Sequence, residues 1–371
     1  MPEHHPYAPD LAACRRRQQR LLAEMERHGW SRVLLTRGES IQWLTGVHLG
    51  PLWTPCAALD ADGRLTLALP DRKLGTPAAA DETAGYAAKR FSTFRDDQAA
   101  ASAAALVAAL QPTTGTTAGE WSHWRPALQA AAASPVVDAE PTLFALRRRK
   151  DADELRMMRR ANEANAAMYA RARQIIRPGL SELDLYCELH TVAVTTLGEP
   201  LTYLGQDFQS CSRGGPPRDR LAQAGELWIL DLGVGFRGYY SDNARTIAVG
   251  SDPTPEQLRA WKAVQELFAW IESTVRPGVS CRELHLDAQQ RLDLQSPWAF
   301  NHHLGHGVGL APHEGPHLNP EWDDHFAVGD FFTAEPGLYH RDLRTGLRLE
   351  QNYVVTDSGV ELLTPWPLEL A

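Results

Sequence analysis

The sequence has few cysteines and no closely spaced pair of them. Five cysteines lie far apart along the chain: Cys14, Cys56, Cys187, Cys211 and Cys281. An odd number at wide spacing is not the pattern of a disulfide framework. We therefore expect reduced thiols and a cytoplasmic protein.

Long apolar runs are also absent. The longest apolar stretches fall far short of the ~20 residues that a membrane-spanning helix needs, so we expect no membrane association. The first residues, MPEHHPYAPDLAACRRRQQR, contain a basic run that no apolar core follows. We therefore expect no export signal.

Positive charge is not in excess, because the formal net charge is -9. The basic clusters RRRQQR and LRRRKDADELRMMRR are short or interleaved with acids, so nucleic-acid binding is not expected. The 371 residues are instead enough for two domains, each with its own core.

Strands and helices alternate over residues 1 to about 140. The pattern predicts a helix that stops near Gly29, followed by a strand over residues 31–36. The segment PCAALDADGRLTLALP predicts a hairpin that turns at Asp62-Gly63. This alternation indicates a small α/β domain, and it contains no group of metal ligands or nucleophiles.

Two similar segments, IIRPGLSELDL and TVRPGVSCREL, occur 99 residues apart. Each follows a long helical pattern that a Pro-Gly pair would end. We therefore predict that residues 150–371 consist of two related halves around one site.

The segment ELWILDLGVGFRGYYSDNARTIAVG predicts an acidic hairpin. If Phe236 and Arg237 are the central turn residues, Asp231 lies directly opposite Asp242, with Cβ atoms about 4.5–5.5 Å apart. Two carboxylates at that distance repel each other unless a cation neutralises them. Because the residues around Asp231 are apolar, a buried metal site is favoured over a solvent-facing acidic pair.

Three further candidate ligands lie in the last third of the chain. His306 lies in GHGVGL, Glu335 ends an apolar strand in FFTAEPGLYH, and Glu350 is expected inside a strand in GLRLEQNYVVT. A set of two Asp, two Glu and one His suits Mn²⁺, Co²⁺ or Zn²⁺.

Residues 313–317 spell H-E-x-x-H, a pattern that binds zinc when both histidines lie on one face of a helix. Pro316 lies between His313 and His317, and a proline inside a helix costs ~3 kcal/mol or more. We therefore predict that these two histidines do not form a zinc clamp.

The motifs DLGVGFRGYYSDNART, HHLGHGVGL, PHEGP, TAEPGLY and LRLEQ, in this order, resemble the pita-bread metallopeptidases. The resemblance is to the Xaa-Pro dipeptidase (prolidase) and Xaa-Pro aminopeptidase branch. It implies an α/β (α+β) protein with a creatinase/prolidase-like N-terminal domain over residues 1–145. A pseudo-twofold duplicated pita-bread catalytic domain would follow over residues 146–371.

The resemblance also implies a dinuclear metal site. One ion would be held by Asp231 and Asp242, and the other by Asp242, His306, Glu335 and Glu350, with Asp242 and Glu350 bridging. Glu335 would be the general base, and His313 would donate a hydrogen bond to the reacting substrate. The expected substrate-binding residues are His302, His313 and Arg348. Arg348 is chosen for its spacing, because it lies two residues before Glu350 and so on the same face of a strand. It would pair with the free carboxylate of a dipeptide or, alternatively, neutralise the crowded carboxylates of the ligand set.

The implied activity is hydrolysis of Xaa-Pro dipeptides by a metal-bridged water, in a cytoplasmic homodimer. Mn²⁺ is the metal we expect first, with Co²⁺ and Zn²⁺ as alternatives. The enzymatic alternative is an Xaa-Pro aminopeptidase acting on longer peptides. A methionine aminopeptidase is disfavoured because it does not need the leading domain, and a metal-free amidinohydrolase like creatinase because all five ligands are present. A catalytically silent binding protein on the same fold is a further alternative.

One motif departs from the family pattern. Relatives usually carry a substrate-side His, often within Pro-His-Gly, in the loop before the first acidic strand. The corresponding loop here reads SCSRGGPPRDRLAQAG, with the aligned place at or near Gly214. Metal binding should survive this difference, and we expect substrate preference and rate to be the properties that it changes.

Overall fold

The structure, a computed structural model, describes residues 6–132, 135–205 and 207–370. These residues divide into two compact units, with the boundary between Arg147 and Arg148. The boundary expected from the sequence, after residue 145, lies two residues earlier. No helix in the described ranges is long and apolar enough to cross a membrane.

The described residues form eight α-helices. They are α1 (Leu11–His28), α2 (Gly38–Thr45), α3 (Gln98–Ala109), α4 (Glu140–Arg148), α5 (Ala152–Ile175), α6 (Glu182–Leu197), α7 (Pro255–Thr274) and α8 (Cys281–Asp293).

The strands of the first unit are β1 (Trp30–Leu35), β2 (Cys56–Asp60), β3 (Leu65–Pro70), β4 (Glu82–Tyr86), β5 (Lys89–Arg90), β6 (Thr93–Phe94), β7 (Thr116–Gly119) and β8 (Val137–Asp138). Those of the second are β9 (Tyr203–Leu204), β10 (Leu227–Asp231), β11 (Val234–Phe236), β12 (Tyr239–Tyr240), β13 (Ala244–Ala248), β14 (Gly305–Gly307), β15 (Glu314–Leu318), β16 (Phe331–Ala334), β17 (Gly337–His340), β18 (Thr345–Arg348), β19 (Gln351–Val355) and β20 (Val360–Leu362).

The first unit is built on a mixed six-stranded sheet in the order β4-β3-β2-β1-β7-β8. The first helix begins at Asp10, whose carboxylate accepts a hydrogen bond from the amide of Ala13, and ends at Gly29 in the left-handed conformation. The β2–β3 hairpin pairs Leu59 with Leu65 and turns through Gly63 at φ 90°. The helix end and the hairpin expected from the sequence are therefore both present.

The second unit contains the predicted repeat of helix pairs. Gly179 follows α5 and Gly278 follows α7, and both have a left-handed φ, 82° and 88°. Two residues further on, Ser181 and Ser280 cap the next helices by accepting hydrogen bonds from backbone amides of the first turn. The two RPG segments thus make the same turn between two helices.

The core of the second unit joins the last two helices to the strands that carry candidate ligands. A five-stranded antiparallel sheet has the order β15-β14-β16-β19-β20. Val264 of α7 and Leu284 of α8 belong to the same buried cluster as Phe332 of β16 and Tyr353 of β19. Because these side chains are tightly buried, the strand ends beside them are held in fixed positions.

The register of the acidic hairpin differs from the predicted one. Arg237 and Gly238 are the central turn residues, with φ of 49° and 85°, as in a type I′ turn. Asp231 therefore pairs with Ala244 and not with Asp242. The prediction was wrong by two positions along the partner strand, because the buried Phe236 belongs to β11 rather than to the turn. Side chains of a strand alternate between the two faces of a sheet. A shift of two positions therefore keeps Asp242 on the face of the hairpin that was predicted for it.

Candidate metal centre

The residues singled out from the sequence converge on one cavity of about 470 Å³ in the second unit. Four of the five candidate ligands line it, namely Asp231, Asp242, His306 and Glu335. The fifth, Glu350, is 1% exposed and has a carboxylate oxygen within 4.8 Å of oxygens of Asp231 and Asp242. The cavity is also lined by His302, His303, His313, Arg348, Asp207, Arg213, Tyr203, Gly205, Gly214 and Gly233.

The candidate ligands lie at the ends of strands or between them. Asp231 is the last residue of β10, Asp242 lies between β12 and β13, and His306 is the middle residue of β14. Glu335 directly follows β16, as expected. Glu350 lies between β18 and β19, which corrects the expectation that it is inside a strand.

The Glu350 carboxylate is the strongest indication of a cation. Neither of its oxygens has a hydrogen-bond partner among the described residues, although the side chain is buried. A buried ionised carboxylate without a partner is very costly, and a bound cation removes that cost. The cluster of Glu350, Asp231 and Asp242 therefore fits a divalent ion that prefers oxygen ligands.

Crowding of these acids changes their ionisation. Burial, followed by the charge of neighbouring carboxylates, raises the pKa of Asp242 and Glu350 well above the ordinary range. Burial is also the main cause that raises the pKa of Glu335 to about 7. A bound cation would favour the ionised form of each of these carboxyls and so offset the effect of burial.

His306 has the tautomer that a ligand needs. Its Nδ1 lies 3.0 Å from the Gly307 carbonyl oxygen, which can only accept, so Nδ1 carries the proton and Nε2 a lone pair. That Nε2 lies 3.5 Å from Glu335 Oε1 and 3.7 Å from Asp242 Oδ2. A lone pair facing two carboxylates is favourable only with a cation between them.

Arg348 is paired with two acids of the cavity. Its Nη2 lies 2.7 Å from Asp207 Oδ2 and 2.8 Å from Asp231 Oδ2. The guanidinium also donates to the hydroxyl of Tyr339 at 3.3 Å. These contacts favour charge neutralisation, the alternative to binding a substrate carboxylate. Asp207 was not identified from the sequence, because an isolated Asp in GQDFQS carries no motif.

His302 is held by hydrogen bonds at both ring nitrogens. Nδ1 donates to the carbonyl of His303 at 2.8 Å, so Nε2 accepts from the hydroxyl of Tyr339 at 3.0 Å. Burial, followed by the charge of Arg348, lowers the pKa of His302 to about 3. His302 is therefore a neutral support for Tyr339 at the cavity wall.

The two histidines of the H-E-x-x-H segment lie in different surroundings. Residues Glu314–Leu318 form a strand, so the prediction that this segment is not a zinc-binding helix is confirmed. His313 lines the cavity, and its ring stacks on His306 with centroids 3.6 Å apart. His317 is not among the cavity residues, and its Nδ1 lies 2.8 Å from Asp324 Oδ2.

Gly214, the position at or near which the family resemblance led us to expect a histidine, lines the same cavity. A Cβ atom added there would lie 2.2 Å from Asp207 Oδ2, a distance that side chains do not tolerate. The loop therefore has no room for a side chain at this position while Asp207 holds its place beside Arg348.

The backbone around the ligands is fixed by buried polar side chains that the sequence did not reveal. Arg245, which is 1% exposed, donates to the carbonyl of Glu350 and to that of Pro367. Asn243 donates to the same Glu350 carbonyl at 2.8 Å. Asn352 donates to the carbonyl of Asp242. These bonds orient two of the candidate ligands before any ion binds.

Comparison with known proteins gives matches over both units. Residues 156–357 match the family described as metallopeptidase family M24, and residues 17–148 match the creatinase/prolidase N-terminal domain. The probable dipeptidase PepE of Mycobacterium tuberculosis is 28% identical over 254 residues, which cover 67% of this chain and 66% of that protein. The Xaa-Pro dipeptidase of Pyrococcus horikoshii is 32% identical over 170 residues, which cover 46% of this chain and 48% of that protein.

The solved structure of the prolidase from Pyrococcus horikoshii has a TM-score of 0.80 at 21% identity, covering 96% of this chain and 100% of that one. This likeness confirms the predicted fold, an α/β N-terminal domain followed by a pita-bread domain. Because the first family match extends over more than half of the residues, the chain belongs to metallopeptidase family M24.

Proposed function

We propose that this protein hydrolyses Xaa-Pro dipeptides with the help of two divalent metal ions. Membership of the metallopeptidase family implies divalent ions. The observation that carries the proposal is the Glu350 carboxylate, which is buried beside Asp231 and Asp242 with both oxygens unpartnered among the described residues.

The charge of the centre supports two ions rather than one. Five carboxylates, those of Asp207, Asp231, Asp242, Glu335 and Glu350, lie in or beside the cavity, which is also lined by the guanidiniums of Arg348 and Arg213. When all five are ionised, three negative charges remain, which is more than one divalent ion would neutralise. We assign Asp231 and Asp242 to one ion, and His306, Glu335 and Glu350 with Asp242 to the other.

When bound, such a pair of ions lowers the pKa of a water molecule and polarises the substrate carbonyl. Glu335 then takes a proton from the attacking water and delivers it to the leaving nitrogen. His313, exposed on the cavity side, donates a hydrogen bond to the oxyanion of the tetrahedral intermediate. The peptide bond before proline carries no N–H group. A site that does not need to hydrogen-bond an N–H of the scissile bond is therefore suited to Xaa-Pro substrates.

Dipeptides are the proposed substrate class. Relatives named Xaa-Pro dipeptidase and probable dipeptidase support this choice over longer peptides. Substrate contacts are proposed for His302, His313 and Arg348, although the ion pairs of Arg348 favour a supporting role for it.

Three finer points belong to the same proposal. Mn²⁺ is the proposed metal because four of the five assigned ligands are carboxylates. A cytoplasmic location is supported by five cysteines that are all free thiols. A homodimer is proposed from the family resemblance alone.

The metal assignment is tested with substitutions of Asp242. Asp242→Ala should abolish activity and lower the metal content per chain, and Asp242→Asn should keep the fold but lose at least one ion. His317→Ala is the matched control, because that ring lies outside the cavity and should leave metal content and most of the rate unchanged. Full activity in Asp242→Ala would refute the assignment.

The substrate class is tested with Ala-Pro, Leu-Pro, Met-Pro, Ala-Pro-Ala and Met-Ala, each with Mn²⁺, Co²⁺ and Zn²⁺ in turn. Preference for the three Xaa-Pro dipeptides supports the proposal. Faster cleavage of Ala-Pro-Ala would identify an Xaa-Pro aminopeptidase, and cleavage of Met-Ala alone a methionine aminopeptidase. Metal-free protein that cannot be reconstituted would indicate a binding protein.

The role of Arg348 is separated by comparing Ala-Pro with its amide, Ala-Pro-NH₂. If Arg348 binds the free carboxylate, Arg348→Met should raise KM for Ala-Pro by an amount equivalent to ~1.5–3 kcal/mol and leave the amide nearly unchanged. If Arg348 only neutralises Asp207 and Asp231, kcat/KM should fall equally for both substrates. The ion pairs of Arg348 favour the second result.

A further inference from the structure

His303 lines the metal cavity but has no place in the ligand set described above. Its side chain is 31% exposed, and its Nε2 lies 3.7 Å from Glu335 Oε1. The ring stacks beside that of His306, with centroids 5.4 Å apart and planes 30° apart. No hydrogen bond to either ring nitrogen of His303 is found among the described residues, so a lone pair is available for a ligand.

We propose that His303 is an additional nitrogen ligand of the ion that Glu335 and His306 hold. Ligand atoms about 2.1 Å from one ion lie roughly 3.0–3.5 Å from each other in octahedral or tetrahedral arrangements. The 3.7 Å from His303 Nε2 to Glu335 Oε1 is slightly beyond this range. It equals the distance from His306 Nε2 to Asp242 Oδ2, two atoms already assigned to one ion.

The other histidines of the cavity fit this role less well. Both ring nitrogens of His302 are engaged, one with the His303 carbonyl and one with the Tyr339 hydroxyl. A ring nitrogen of His313 lies within 4.8 Å of ligand atoms of Asp242 and His306, but no ion pair of 4.0 Å or less joins His313 to a carboxylate among the described residues. Glu335 Oε1, by contrast, has His306 Nε2 at 3.5 Å and His303 Nε2 at 3.7 Å.

A second imidazole changes which metal the centre prefers. Imidazole binds Zn²⁺ and Co²⁺ well, whereas Mn²⁺ gains less from nitrogen than from carboxylate ligands. His303 therefore strengthens Zn²⁺ and Co²⁺ binding more than Mn²⁺ binding. The inference rests on the proposed metal site, but it does not depend on which peptide is cleaved.

The test compares metal affinities of the wild type, His303→Ala and His317→Ala. His317 is a matched control because its side chain is 33% exposed and its ring is bonded to Asp324, outside the cavity. Competition with chelator-buffered Zn²⁺ and Mn²⁺ gives both dissociation constants without substrate. We expect His303→Ala to weaken Zn²⁺ binding by about tenfold or more, as losses around metal sites usually do, and Mn²⁺ binding by clearly less.

An unchanged ratio of Zn²⁺ to Mn²⁺ affinity in His303→Ala would overturn the proposal while leaving the metal site itself in place. If the wild type binds no divalent ion, the proposed function fails as well, so the two failures are distinguishable. Circular dichroism checks that each variant is folded.

X-ray absorption at the Zn edge supplies a test that does not depend on the folding of His303→Ala. Wild-type protein loaded with two Zn²⁺ should show two imidazoles per pair of ions, and His313→Ala should show the same number. A single imidazole, or a count that falls in His313→Ala, would exclude His303 as the additional ligand.

Discussion

Replacing Arg348 with Met is expected to destabilise the metal-free protein more than the metal-loaded protein. The guanidinium lies between Asp207 and Asp231, and the side chain is 10% exposed. Met has a similar length and no charge, so the substitution removes the ion pairs while filling most of the space. Both acids then remain beside the cavity without their cation.

The loss of stability in each state depends on which of the two acids loses its charged partner. Two unit charges about 4 Å apart attract by about 4 kcal/mol at an effective dielectric constant of about 20. Removing one partner of a buried ion pair therefore costs about 3–5 kcal/mol in net stability. A bound ion would neutralise Asp231, so only Asp207 loses a charged hydrogen bond in the loaded protein, which costs about 1.5–3 kcal/mol.

The loss of stability is about 2 kcal/mol larger in the metal-free protein than in the metal-loaded protein. By thermodynamic linkage, Arg348→Met should therefore bind metal roughly 30-fold more tightly than the wild type. Urea denaturation with and without Mn²⁺ measures both losses. Arg237→Met is the control, because Arg237 pairs with Glu199 and the two side chains are 29% and 26% exposed. That variant should change stability by about 1 kcal/mol or less under both conditions. Equal losses with and without metal in Arg348→Met would refute the assignment of Asp231 to a metal ion.

Three further predictions concern buried charged residues of the second unit. Burial and the neighbouring carboxylates raise the pKa of Glu350, and a carboxyl whose pKa is raised by folding destabilises the metal-free fold above its unfolded pKa. Glu350→Gln has no such cost, so the metal-free protein should become about 1–3 kcal/mol more stable at pH 7 while metal content falls; retention of both ions would contradict this. Burial alone would raise the pKa of Glu182, but hydrogen bonds from Arg218 and Ser210 outweigh it and lower that pKa. The carboxylate thus stabilises the fold above its unfolded pKa of about 4.3, and this contribution is lost as pH falls through the lower folded value. Glu182→Gln should therefore cost stability at pH 7 and progressively less below about pH 4, as urea denaturation across pH would show. Arg245→Lys cannot keep all the bonds to backbone carbonyls, so melting temperature and metal affinity should both fall, whereas unchanged affinity would mean that the Glu350 backbone does not need them.

Much of the secondary structure could be predicted because its signals are local. Gly29 ends a helix where a left-handed residue is required, and the RPG repeat places Ser181 and Ser280 at equivalent helix starts. The non-helical character of residues 313–317 followed from the position of Pro316. Each of these features depends on residues that lie close together in the sequence.

The register of the acidic hairpin could not be predicted in the same way. A type I′ turn requires positive φ at both central residues, and Arg237 is an uncommon residue there. The burial of Phe236 inside the second unit, which decides the register, is a tertiary effect. Glu350 was placed inside a strand for a similar reason, since local apolar alternation does not show where a strand is interrupted.

The parts of the site missed by sequence reasoning are long-range contacts. Asp207 and Arg348 are 141 residues apart in the chain, and neither residue alone indicates the ion pair. His303, the proposed additional ligand, had one signal, its position next to His302 within the His-rich segment. Two adjacent histidines do not show which one has a ring nitrogen near Glu335.

The missing loop histidine is best understood together with these long-range contacts. Asp207 Oδ2 occupies the space that a Cβ at position 214 would need, and Arg348 holds that carboxylate at 2.7 Å. The Gly215 amide donates to the other oxygen of Asp207 at 2.6 Å, so the carboxylate is fixed from two directions. Gly214, Asp207 and Arg348 therefore depend on one another: a side chain at position 214 would displace Asp207, and Arg348 would then face Asp231 alone. The glycine at position 214 is therefore required by the ion pair between Asp207 and Arg348, which is separate from the five proposed metal ligands except through Asp231.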